Sequence, residues 1–142
     1  MKLNKIEIAR TQIETAIDLF LSNRDFLSAL TLAGAAEDIL GKLLERDGKK
    51  SMLENLYGWF QETTQEKIGF GEFAKKANFT RNTLKHASVA NEDEIEVFRW
   101  ETVQMIMRAL FNYKQLVGQP TEKMLEFSEW LQENTGAYEQ LE

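Results

Sequence analysis

Residues 26–44 read FLSALTLAGAAEDILGKLL and carry the pattern that decides the fold. At about 100° per residue, this stretch places one set of apolar side chains on a single stripe: Phe26, Leu30, Ala33, Leu40 and Leu44. Such a stripe is typical of a helix that packs against other helices. The stretch therefore predicts a long amphipathic helix in an all-α chain.

The neighbouring segments repeat the helical spacing. Residues 3–21 predict a first helix, and residues 22–25 (SNRD) supply a turn with candidate caps. Ser51 and Glu54 form the S-x-x-E pattern of a capping box, which predicts a third helix. Residues 72–80 predict only a short helix or an irregular turn.

Asn91 and Glu94 predict a second capping box, ahead of the longest helical pattern at residues 95–117. The acidic residues around Glu94 then lie in the first turns of that helix, where the helix dipole favours negative charge. We prefer this interpretation to a metal site. The sequence GQP at residues 118–120 ends the helix, and Thr121 begins a last one.

These segments predict an antiparallel, four-helix-type bundle with a short insertion before its long fourth helix and an extra C-terminal helix. Residues 1–120 would form the bundle. Residues 121–142 would form an acidic C-terminal helix and tail, which packs on the bundle or extends from it.

Length and composition exclude several classes of protein. The chain has 142 residues, of which 43% are hydrophobic and 28% charged, as expected for one globular domain. It has no cysteine and one histidine, which excludes disulfide scaffolds, thiol catalysis and paired-histidine metal sites. A Glu-x-x-His pair for a di-iron site and a glycine-rich phosphate loop are also missing. We expect no cofactor and no metal.

The charged N-terminus contains no signal-peptide core, and no apolar run is long enough to span a membrane. We therefore expect no membrane contact and a cytoplasmic location. The net charge is −6, and much of the excess lies in residues 121–142. One basic island stands out between Glu72 and Glu92, and it consists of Lys75, Lys76, Arg81, Lys85 and His86. It is either a solvated face or a phosphate-binding surface.

The predicted second helix carries two unusual features. Glu37 falls within its apolar stripe, where an unpaired carboxylate would cost several kcal/mol. Arg10 lies near the apolar stripe of the first helix, so an Arg10–Glu37 ion pair is as well supported as a functional role for Glu37. Gly34 and Gly41 lie on one side of the second helix and allow a close approach of backbone, from within the chain or from a second copy.

Arg81 and His86 are the strongest candidates for chemistry. A histidine exchanges protons near neutral pH, and the planar fork of an arginine binds phosphate oxygens. Together they suit phosphodiester chemistry without metal. On a regular helix a spacing of five separates the two side chains by about 140°. They converge only if Arg81 lies at a helix start or turn, or if a second chain supplies one of them.

The hexapeptide RNTLKH at residues 81–86 resembles the motif of HEPN domains, the higher eukaryote and prokaryote nucleotide-binding family: Arg, four to six residues, His, with a polar residue after the Arg. The position of the motif before the final long helix, and Glu37 in an upstream helix, support the resemblance. It covers residues 3–117.

The resemblance implies a homodimer whose two motifs face a shared cleft and cut RNA without metal, leaving a 2′,3′-cyclic phosphate. His86 would act as general base or acid and Arg81 would hold the scissile phosphate. Asn82 would orient that phosphate, and Glu37 would position Arg81 or His86. Lys85, Lys75 and Lys76 would add positive charge for RNA or a nucleotide.

Active members of the family often serve as toxins or in phage defence, which implies an antitoxin or regulatory protein as a partner. Ala87 and Ser88 follow His86, where one toxin branch has a tyrosine two places on, so control by modification of that tyrosine is not expected. Other members only bind nucleotides, RNA or proteins. A non-catalytic module of the same fold and a purely structural bundle are therefore the alternatives to a ribonuclease.

Overall fold

The computed structural model describes residues 1–134, which form seven α-helices and no strand. The helices are α1 (Lys5–Leu21), α2 (Phe26–Arg46), α3 (Met52–Thr63), α4 (Phe70–Ala77), α5 (Phe79–Thr83), α6 (Arg99–Val117) and α7 (Glu122–Glu133). A single 3-10 turn lies at Ala90–Glu92. The all-α prediction is confirmed for this part of the chain.

Local capping explains where the first three helices begin. Asn4 and Glu7 exchange side-chain and backbone hydrogen bonds at the start of α1. Asp25 accepts a hydrogen bond from the backbone N–H of Ser28 at 3.0 Å and so caps α2. The predicted Ser51 capping box is present at the start of α3. These ends are therefore set by residues within one turn of the helix.

The core lies between α2 and its two main neighbours, α1 and α6. The apolar stripe predicted for α2 is buried along most of its length, with Leu30, Ala33, Leu40 and Leu44 at 1% exposure or less. Burial of this stripe supplies the main favourable term in folding. Of the short helices, α3 contacts α4 and α6, and α5 contacts α2 and α4.

The last described helix, α7, packs against α1. Met124 and Phe127 are buried, and the rings of Phe127 and Trp130 both contact Phe20 in edge-to-face geometry. The acidic tail predicted beyond α7 lies, at residues 135–142, outside the described residues.

The predicted start of the long helix is wrong. Asn91 forms part of the 3-10 turn, residues 95–98 are not helical, and α6 begins at Arg99. The N-cap is Phe98, and the carboxylate of Glu101 in the first turn accepts a hydrogen bond from the backbone N–H of Phe98 at 2.8 Å and another from the hydroxyl of Thr80 at 2.5 Å. Glu101 therefore links the start of α6 to α5, and the acidic residues around Glu94 precede α6.

None of the helices in residues 1–134 combines the length and the apolar character needed to cross a bilayer.

Candidate functional site

Glu37 lies at the centre of a buried ionic cluster. The residue is 3% exposed on α2, and each of its carboxylate oxygens binds a different arginine. Nη1 of Arg81 donates to Oε2 at 2.9 Å, and Nη2 of Arg108 donates to Oε1 at 2.7 Å. Both arginines are themselves more than nine-tenths buried. We call these three residues the Glu37 cluster. One carboxylate between two guanidinium groups gives it a net charge of +1.

Arg10 is not the partner of Glu37. Arg10 is exposed on α1, and the Arg10–Glu37 pair, one of the two alternatives that the sequence left open, is absent. Ile6, one turn before Arg10, is itself only half-buried and marks the edge of the apolar face. Arg10 therefore extends into solvent, and Glu37 is paired from α5 and α6 instead.

Gly34 determines how Arg81 reaches Glu37. A Cβ atom on Gly34 would lie 2.5 Å from Cδ of Arg81 and 2.6 Å from its Cγ, which no real contact allows. The stem of Arg81 therefore lies directly over Gly34, one turn before Glu37. The sequence predicted a close approach of backbone at this glycine, and the structure has a side chain there instead. At Gly41 the nearest groups are also side chains, those of Asn112 and Ser51.

Arg108 on α6 ties the cluster to the junction between α4 and α5. Its Nη2 donates to Oδ1 of Asn78 at 2.8 Å, and its Nη1 donates to the carbonyl of Ala77 at 3.4 Å. Asn78 immediately precedes the helix that carries Arg81. Arg108 thus contacts both the carboxylate that holds Arg81 and the segment that leads into it.

Three residues around Glu37 were not predicted from the sequence: Arg108, Asn78 and Asn112. On α6, Asn112 donates to the backbone carbonyl of Glu37 at 3.3 Å and accepts from the backbone N–H of Met52 at 2.8 Å. A signal for two of the three was present. Arg108 and Asn112 follow Met105 at helical spacing on the buried face of α6. A polar residue on an apolar helical face is the same feature that identified Glu37.

Two clefts adjoin Arg81. The large cleft has a volume of about 530 Å³ and lies beside α2, α3 and α4, with Lys42, Lys50, Tyr57 and Phe70 among its lining residues. The small cleft, of about 240 Å³, lies beside α4, α5 and α6. Its polar lining residues are Lys76, Thr80, Arg81, Glu101, Gln104 and Arg108. Glu37 lines the large cleft, Arg108 lines the small one, and Arg81 lines both.

The remaining predicted site residues are spread around Arg81. Oδ1 of Asn82 accepts a hydrogen bond from Nε of Arg81 at 3.4 Å. Lys76 is exposed at the rim of the small cleft, whereas the exposed Lys75 lines neither cleft.

His86 and Lys85 lie beyond the end of α5, and both are exposed. His86 lines neither cleft. A single chain therefore joins Arg81 to Asn82 and Glu37 by hydrogen bonds, and His86 is not among the residues that line the two clefts.

Within residues 1–134, no three acidic or histidine side chains are grouped closely enough to hold a metal ion. The chemistry that the described site offers is the binding of negative charge by guanidinium N–H groups at the edge of a cleft. Comparison of the chain with protein-family models, with curated proteins and with solved structures finds no match.

Proposed function

We propose that this chain is a HEPN-type domain that cleaves RNA without metal at a site shared by two copies. The proposal includes the antiparallel four-helix-type arrangement of the main helices and a cytoplasmic location. Arg81 would hold the scissile phosphate, with Asn82 beside it, and His86 would transfer protons. The observation that carries the proposal is the anchoring of the motif arginine by a buried carboxylate.

The hydrogen bond from Arg81 to Glu37 fixes the guanidinium and leaves some of its N–H groups available for a ligand. A guanidinium has five N–H groups, and the hydrogen bonds to Glu37 and Asn82 use two of those on Arg81. The rest of the group adjoins the clefts. A side chain fixed by a second charged residue loses less conformational entropy when it binds a phosphate, so Arg81 is preorganised for that task.

The structure also removes the objection based on helical spacing. Helix α5 has five residues and ends at Thr83, so His86 follows the helix and does not lie on it. The separation of 140° on a regular helix therefore does not apply to this pair. Since His86 lines neither cleft of its own chain, the proposal assigns the shared site to a homodimer in which the two motifs face each other.

The proposed reaction needs only groups that RNA and the motif supply. An imidazole takes the proton of the 2′-hydroxyl, and the 2′-oxygen attacks the adjacent phosphorus. The bond from phosphorus to the 5′-oxygen breaks, and that oxygen leaves with a proton from an acid. The products are a 2′,3′-cyclic phosphate and a 5′-hydroxyl. Arg81 stabilises the negative charge that builds up on the phosphate oxygens.

The test is cleavage of a single-stranded RNA labelled at one end, in EDTA, followed on a denaturing gel. We expect cleavage by the wild-type protein and a loss of about 100-fold or more in His86→Ala, because general acid–base catalysis contributes at least that factor. An oligonucleotide with 2′-O-methyl groups throughout should remain intact, because it lacks the attacking hydroxyl.

Arg10→Ala is the control for the removal of an exposed basic side chain, since Arg10 is exposed on α1 and lines neither cleft. It should retain full cleavage. Cleavage that persists in His86→Ala, or that acts equally on the 2′-O-methyl oligonucleotide, would contradict the proposal. Circular dichroism of each variant verifies that the helices are retained.

A non-catalytic binding module is the second candidate, and the position of His86 outside both clefts favours it. In this case the protein would bind RNA, a nucleotide or a partner protein through the groups around Arg81 and would release the ligand unchanged. Saturable binding of the RNA, with no product in the gel assay and no effect of His86→Ala on affinity, would select this candidate.

A further inference from the structure

We infer that the small cleft is an oxyanion site for one phosphate group, with Arg108 as well as Arg81 as its ligands. Arg108 lies outside the RNTLKH motif, and the inference concerns binding alone. It holds whether or not RNA is cleaved, so its failure and the failure of the proposed function can be told apart.

The first argument is an excess of hydrogen-bond donors. Arg81 and Arg108 together carry ten N–H groups. The hydrogen bonds that they make within residues 1–134 number five, which leaves five N–H groups without a protein acceptor. One of these, Nε of Arg108, is buried from solvent. Buried donors without acceptors are costly, and phosphate is an acceptor with several oxygens.

The second argument is charge. The Glu37 cluster carries a net charge of +1 on side chains that are each nine-tenths or more buried. An uncompensated charge in a low-dielectric environment attracts a counter-ion into any adjacent space that can hold one. The small cleft is that space, because it is the cleft that both arginines line.

The two other charged groups of the small cleft, Glu101 and Lys76, are opposite in sign, so together they leave the net charge of +1 on the Glu37 cluster unchanged. Glu101 is its one carboxylate among the described residues, and both of its oxygens already accept hydrogen bonds, from Thr80 and from the backbone of Phe98. Lys76 at the rim adds a further positive charge, although it lies 3.6 Å from Glu66 and 3.9 Å from Glu72. These contacts are exposed and therefore weak.

The experiment is a titration of the ¹⁵N-labelled full chain with sodium phosphate at constant ionic strength, followed by NMR. The reporters are the Nε–H signals of Arg81 and Arg108 and the indole N–H of Trp100, which also lines the small cleft. We expect saturable shifts of these three signals. The Nε–H of Arg10 is the internal control and should not move.

Gln104→Glu tests the location of the site. Gln104 is exposed and lines the small cleft, so the variant adds a negative charge at the rim without disturbing the core. We expect the apparent Kd for phosphate to rise about tenfold through repulsion of like charges. Gln115→Glu is the matched control, since Gln115 is exposed on the same helix and lines neither cleft. It should leave the Kd unchanged.

Two results would overturn the inference: an absence of saturable shifts, or the same Kd in Gln104→Glu and Gln115→Glu. A last arm identifies the source of the phosphate group. If a 2′-O-methyl RNA oligonucleotide displaces inorganic phosphate, the site binds a polynucleotide backbone. If it does not, the site binds free phosphate or a phosphate monoester. Either outcome supports the oxyanion site.

Discussion

Two carboxylates of α2 and its N-cap, those of Asp25 and Glu37, are held in opposite ways. Asp25, at its N-terminal end, accepts a hydrogen bond from Ser28, three residues away. Glu37, in its middle, is held by Arg81 and Arg108, which lie 44 and 71 residues away. The partner of Asp25 is present as soon as the helix forms. The partners of Glu37 are present only when α5 and α6 have docked.

The difference shows which interactions define a helix and which define the site. A local cap stabilises α2 without reference to the rest of the chain. The Glu37 cluster joins three separate segments, and each of its charges is buried at a cost that only the other members offset. Changes in the cluster should therefore affect stability and function together, whereas changes at the cap should affect stability alone.

The largest effect is expected for Glu37→Ala. Removal of the carboxylate leaves two buried arginines without their counter-charge, and we expect the free energy of unfolding to fall by about 3 to 5 kcal/mol. Urea unfolding followed by circular dichroism measures the change. Asp38→Ala is the matched control, because Asp38 is the adjacent acid and is exposed. It should change stability by no more than about 0.5 kcal/mol. Equal effects of the two variants would show that the cluster adds nothing to stability.

An intermediate effect is expected for Gly34→Ala. The new methyl group would overlap the stem of Arg81 and displace it from Glu37. We expect a loss of about 2 kcal/mol, the usual cost of overpacking. At Gly41 the same change would place a Cβ atom 3.6 Å from Nδ2 of Asn112, an ordinary contact. Gly41→Ala should therefore be neutral, or stabilising by about 0.5 kcal/mol through helix propensity.

These two variants should differ in ligand binding as well. Gly34→Ala should weaken phosphate binding in the NMR titration, because it moves Arg81, and Gly41→Ala should not. A Gly34→Ala protein with the stability and phosphate affinity of the wild type would show that the position of Arg81 over Gly34 is not required.

The smallest effect is expected at Asp25 and depends on pH. Hydrogen bonds from the side chain and backbone of Ser28 lower the pKa of Asp25 below its ordinary value of 3.8. A carboxyl group whose pKa is lower in the folded than in the unfolded chain stabilises the fold above pH 3.8. It loses that contribution as the pH falls through 3.8 and below.

Asp25→Asn keeps a capping acceptor and removes the titratable group. At neutral pH the urea midpoint of the variant should lie slightly below that of the wild type. Well below pH 3.8 the difference should vanish, because Asp25 is then protonated. A difference between the two midpoints that stays constant across this range would contradict the assignment.

The helices could be predicted because their signals are local. The apolar stripe of α2 and the capping box at Ser51 involve residues within a few turns of each other, and both are present in the structure. The start of α6 could not be predicted in this way. Its N-cap, Phe98, has no side-chain acceptor and so lacks the usual capping signal, and Glu101 in the first turn also binds Thr80 on α5, 21 positions away.

The site could be predicted only in part for the same reason. Glu37 was identified from its place on the apolar stripe, but its spacing to Arg81 and Arg108 follows no helical period. Arg108 could have been found by applying the same criterion to the buried face of α6. The pairing of these residues depends on how the helices dock, which local patterns do not specify.

Thr80 and Glu101 join the two ends of the segment that contains His86, since residues 84–98 lie between α5 and α6. His86 is exposed in this segment and is not part of the core cluster, whereas Arg81 is fixed by the core. Evolution under selection for folding alone would therefore preserve the arginine and let the histidine drift. A histidine retained at this position across homologous sequences would be a mark of selection for chemistry.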